Sequence, residues 1–311
     1  MVSLVFGITS YMVFANVSFL VPVGDVVGPF LVDTLPVVLF MLLYVTFCKI
    51  QIKDMRPRPW HFWLQLIRIV LSLLLVCIIT LTTDNTLRLI LQGVFICVIC
   101  PTAAAAAVVT EKLGGSVASM TIYMVIANVV TMVIIPLFFP LVERSADISF
   151  IVAVLAVLRN VTLVLVLPLA LALISRKVVP RFTDRLRQMK NLGFYMWCFN
   201  LAIVSGLTFR NILYSSMDAS TLAWMLLLPL AVALLLFAIG KAVGGRYGES
   251  VAAGQALGQK NTVVGIWLTV SYLNPLAAVA PGAYVLWQNL INALQLWYKE
   301  KYGKAPLERR G

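Results

Sequence analysis

Residues 254–262 read Gly254-Gln255-Ala256-Leu257-Gly258-Gln259-Lys260-Asn261-Thr262. They sit in the middle of an otherwise apolar stretch, 248–273. That stretch exceeds the roughly 20 residues a helix needs to cross a bilayer. A lysine at mid-membrane costs about 2.5–3.5 kcal/mol on insertion scales. The Gly-Gln-Lys-Asn run puts three polar side chains in succession at that depth, where free backbone groups must face protein or a wet cavity. A second apolar stretch, 86–110, is interrupted by Cys100-Pro101-Thr102 and the five alanines of 103–107. Proline removes a backbone donor and clashes with the preceding turn. Each interruption marks a membrane helix that breaks.

Outward from these two stretches the same reading gives ten spans: 2–23, 27–48, 61–82, 86–110, 116–142, 149–175, 192–209, 220–243, 248–273 and 275–299. Charge tests the count. With the N-terminus cytoplasmic, eighteen of the 24 Lys and Arg fall in loops on one side, and only Arg88, Arg144 and Arg210 on the other. The positive-inside rule puts the rich side, with both termini, in the cytoplasm. The chain divides near 144–148 into halves of five spans. Five is odd, so the halves insert in opposite senses, and the broken span is fourth in each. Inverted repeats with broken helices at the midplane are a plan of secondary transporters. The expected fold is therefore an all-α polytopic membrane protein of ten transmembrane helices, in two inverted five-helix repeats with helices 4 and 9 broken.

Composition narrows the function. The chain is 61% hydrophobic and 12% charged, with a net charge of +12. Soluble domains are about 45–50% apolar and about 25% charged. A soluble enzyme, a disordered chain and a nucleic-acid-binding module are excluded, and the basic excess belongs to loops. One histidine, His61, excludes multi-histidine metal sites, and no metal or cofactor is expected. The five cysteines lie in or beside apolar runs, where Cys behaves as a small hydrophobe, and no disulfide is expected.

Four stretches together resemble the bile acid:sodium symporter family, in the larger group that includes arsenite exporters. They are 41–55, ending Lys53-Asp54-Met55; Cys100-Pro101 with the later Glu111-Lys112-Leu113-Gly114-Gly115; Gly258-Gln259-Lys260-Asn261; and Ala280-Pro281-Gly282-Ala283-Tyr284 with Trp287-Gln288-Asn289. The resemblance implies panel helices 1–2 (1–48), core helices 3–5 (49–147), panel helices 6–7 (148–218) and core helices 8–10 with the tail (219–311). Helices 4 and 9 would cross, with substrate in the cleft facing the crossing and sodium behind it. Carried over residue by residue, most sodium ligands fail. The Ser-Asn pair after the proline falls on Ala106 and Ala107, and the span 5 hydroxyls on Met120 and Met124. The span 9 Glu and Gln fall on Ala256 and Lys260, and the span 3 Gln on Arg68. Only Gly258 and Asn261 match. Alanine and methionine offer no oxygen. Lys260 would repel sodium by about 4 kcal/mol at 4 Å and an effective dielectric of about 20. Sodium is not expected, and Lys260 stands as a fixed cation in its place.

Candidate binding residues follow. Lys260 reads as ion surrogate, anion-binding charge or proton-coupling group. Arg68 lies about 12 Å from the cytoplasmic end of its span, within reach of the surface. Arg159 faces substrate or pairs with Asp33. Gln255, Gln259, Asn261 and Thr262 line the crossing beside Gly258. Pro101 and Thr102, with the backbone of 103–107, present N–H groups to an anion. Asn128, Gln288 and Asn289 read as hydrogen-bonding between helices. The expected function is a secondary transporter of a small organic anion, a carboxylate, by alternating access without sodium coupling. Coupling is to protons through Lys260, or absent. A sodium-coupled symporter is the nearest alternative, and a metalloid exporter using Cys97 or Cys100 a more distant one. The expected partners are the lipid bilayer and that anion, with no nucleic acid. The expected location is a bacterial inner membrane, and the sequence fixes no oligomeric state.

Overall fold

The computed structural model describes residues 2–49, 55–143, 155, 159, 163, 166–189, 191–215 and 217–303. The described chain is helical: α1 Val2–Asn16, α2 Val21–Cys48, α3 Pro59–Leu81, α4 Asn85–Ile99, α5 Ala106–Lys112, α6 Val117–Val142, α7 Leu167–Val178, α8 Pro180–Gln188, α9 Leu192–Leu213, α10 Ala219–Gly245, α11 Ser250–Gly258, α12 Thr262–Tyr272, a 3-10 turn Pro275–Ala278, and α13 Val279–Tyr302. By length and composition, five helices among the described residues can cross a membrane: Val21–Cys48, Pro59–Leu81, Val117–Ile135, Leu192–Arg210 and Ala219–Gly245. The expected span over 149–175 falls largely outside the described residues, leaving α7 as its continuous described part.

Local chemistry sets where helices start. Asp84, Ser116 and Asp218 accept from the backbone N–H three residues on, at the starts of α4, α6 and α10. Such caps satisfy donors with no helical partner. At α3 the N–H of Arg58 donates to His61 Nδ1, leaving Nε2 to donate to Ser119 Oγ on α6 at 3.0 Å. The single histidine is thus a cap and a cross-link.

Packing places α1, α2 and α9 together, with α7 and α8 against α2. Helices α3, α4, α5, α6, α10, α11 and α13 form a connected set, and α9 and α2 touch its member α5. A close seam joins α10 to α11. A Cβ on Gly240 would lie 2.4 Å from the carbonyl oxygen of Ala253, and one on Gly244 2.3 Å from the Ala253 methyl. Small residues four apart let two apolar helices approach through their backbones.

The basic segments gather at one end of the molecule. Lys49, after α2, pairs with Glu111 of α5 at 2.9 Å, and Arg58 pairs with Glu249, just before α11. Lys112 of α5 bonds Asn191 ahead of α9, and Lys299 of α13 donates to Lys112 O. At the opposite end, Arg88 of α4 donates to Val142 O of α6.

Candidate functional site at two meeting helix breaks

Two helices stop inside the fold, and their ends meet. Cys100 adopts an extended conformation (φ −55°, ψ 143°) after α4, as the residue before a proline is driven to do. Gln259 is extended after α11 (φ −92°, ψ 113°), and Asn261 Oδ1 accepts from Val264 N to restart the chain as α12. Between the breaks, Thr102 and Lys260 face each other in an antiparallel bridge. Ala103 N donates to Gln259 O at 3.0 Å and Asn261 N to Pro101 O at 2.8 Å. Side chains brace the join. Gln288 of α13 accepts from Lys260 N and donates to Lys260 O; Thr102 Oγ1 donates to Ala256 O and the Tyr284 hydroxyl to Gly258 O.

The last carbonyls of a helix lack helical partners and carry its negative dipole end. At α4 two cations take them. Lys260 Nζ donates to Val98 O (2.9 Å) and Cys100 O (3.3 Å), and Arg68 Nη1 to Ile99 O (3.0 Å). Arg68 also donates to Thr131 Oγ1 and Ala127 O of α6. Both side chains are 1% exposed. Among the described residues neither is paired with a carboxylate.

The breaks bring together Lys260, Arg68, Gln259, Gly258, Asn261, Thr262, Pro101 and Thr102. Ala106 and Ala107 are buried at the start of α5, and Met120, Met124 and Ala256 are buried as well. Gln255 points its amide toward Gln295 at 3.5 Å. Among the described residues, five amide oxygens, on Gln65, Asn200, Gln255, Gln259 and Asn292, are buried without a partner. Some readings change. Arg68 does not reach for the surface, since three acceptors hold it inward. The N–H groups of Ala103, Ala106 and Ala107 are taken by Gln259 O, Ala103 O and Ala104 O, so those donors are not offered to an anion. Arg159 and Asp33 are both exposed, and no ion pair among the described residues joins them. Among the described residues, no contact at the breaks involves Arg159. Asn128 and Asn289 bond carbonyls of their own helices, whereas Gln288 does cross between elements. Cys97 and Cys100 are free and buried.

Sequence reading missed Thr131 and left the aim of Arg68 open between the site and the surface. The signal was available: His61, Gln65, Arg68 and Ser72 stand at i, i+4, i+7 and i+11, one face of α3, and all are buried.

Helices throughout the described residues, apolar spans and two interior helix breaks together describe an integral membrane protein of the transporter class. The model of the sodium bile acid symporter family matches residues 36–215, more than half of the chain, and the protein belongs to that family. The family is made up of transporters rather than enzymes. Among curated proteins, none shows significant sequence similarity to the chain.

Proposed function

We propose that the protein moves a small organic anion, a carboxylate, across the membrane by alternating access, without sodium coupling, with Lys260 in the place of a bound cation. One observation carries this reading: the three carbonyls closing α4 are already held by Lys260 and Arg68. In transporters with discontinuous helices, such half-helix ends and unwound carbonyls are where coupling ions bind. Here tethered charges do that work, and the uncompensated positive charge favours an anionic substrate. In this proposal ten spans form two inverted repeats, with α4–α5 and α11–α12 as the broken members. The set α1, α2, α7, α8 and α9 is the panel and the remainder the core. Both termini are cytoplasmic in a bacterial inner membrane.

The sodium-coupled alternative has one observation in its favour, the buried, unpartnered Oε1 of Gln259. Uptake of radiolabelled mono- and dicarboxylates into proteoliposomes, with external sodium or choline, separates the two. The expected result is equal uptake. Uptake abolished in choline overturns the sodium-independent reading. Lys260→Gln is expected to lose transport or to become sodium-sensitive, and unchanged, sodium-insensitive transport overturns the surrogate role.

A further inference from the structure

Helix α8 links α7 to α9 at the basic end, and its sides differ. With 3.6 residues per turn, Phe182 and Leu186 share one side with the cap residues Val179 and Met189, Leu186 half-buried against the core. Val179 is 48% exposed, Phe182 50% and Met189 53%, and Val178 just before them 71%. Thr183, on the next side, is buried, and the helix packs on α2 and α7. Arg181 and Arg185, one turn apart, are exposed on the far side of the apolar row, and Lys177, in the last turn of α7, is exposed as well. Arg187 is engaged with Asp184 at 3.5 Å.

An exposed apolar row bordered by arginines does not suit water. Packing on α2 and α7 fixes its height at the ends of those helices, so the row faces acyl chains while the arginines reach headgroups. Exposed Trp63, near the start of α3, and Trp297 and Tyr302, near the end of α13, stand at the same end of the molecule, as residues of an interfacial belt do. We propose that α8 lies in the membrane–water interface and that Lys177, Arg181 and Arg185 bind the headgroup of an anionic phospholipid. The charge complementarity is direct, and no acidic side chain of α8 other than Asp184, already engaged by Arg187, competes. This site is independent of the transport reading.

Native mass spectrometry of the full chain, released from detergent with equimolar phosphatidylglycerol and phosphatidylcholine, tests it. The expected preference for phosphatidylglycerol is on the order of a hundredfold, from roughly 1 kcal/mol for each of the three basic side chains near an anionic surface. Arg181→Gln with Arg185→Gln, which leaves Lys177, is expected to cut the preference to roughly fivefold. Phe182→Ser is expected to weaken both lipids alike. Equal binding of the two lipids by the unmodified protein overturns the proposal, whatever the variants do. So does an unchanged preference in the double variant.

Discussion

Lys260 and Arg68 do related work with different tools. The lysine ammonium is a compact charge with rotatable donors, and it spans two carbonyls of α4. The guanidinium is a rigid fork, and it holds α4 and α6 together through three acceptors. Lysine at position 68 could not satisfy all three. Arg68→Lys is therefore expected to lower stability by about 1–3 kcal/mol, the range for buried acceptors left without donors, in thermal unfolding of the protein in nanodiscs. The chemistry of these residues was legible from their depth in apolar stretches. Their aim was not, because an arginine twelve ångströms from an interface has two feasible directions and only the position of neighbouring acceptors chooses between them.

At the level of helices, α10 provides an internal comparison. Gly240 and Gly245 lie in one helix, yet a Cβ at Gly240 would collide with the Ala253 carbonyl, while nothing lies within 4 Å of one at Gly245. Gly240→Val is expected to cost about 1–3 kcal/mol, the range for overpacking, or to prevent accumulation of folded protein. Gly245→Ala should leave the unfolding temperature unchanged or raise it slightly. The start of α10 gives a pH prediction. Hydrogen bonds from Ser220 and from the Thr221 backbone hold the Asp218 carboxyl well below its ordinary value of 3.8. A carboxylate lowered on folding contributes stability above its unfolded value and loses it as pH falls toward the folded one. Unfolding temperature should therefore drop below about pH 4, and that acid-side drop should be smaller in Asp218→Asn. The two helix breaks were legible from proline and from the Gly-Gln-Lys-Asn run. The small-residue seam between α10 and α11 was not, since glycine four apart in an apolar helix also occurs where nothing packs.

Across the whole molecule, the end that gathers Lys49, Arg58, Lys112 and Lys299 is the one the loop charges assign to the cytoplasm. A single cysteine at exposed Gln188 should resist a membrane-impermeant maleimide in intact cells, whereas one at exposed Thr83, between α3 and α4, should react; the reverse pattern would invert the orientation. Charge counting reaches this organisation because it needs only the order of the loops. It cannot reach the contacts between loops, such as Lys49 with Glu111, which depend on how helices far apart in sequence are packed. The join between the breaks has a consequence of another kind. Its two rungs run between main-chain atoms of Ala103 and Gln259 and of Asn261 and Pro101. A side chain can change at either break without undoing them. On the proposed reading, the same main-chain join would serve a relative that binds a mobile ion and this chain with its built-in charge alike.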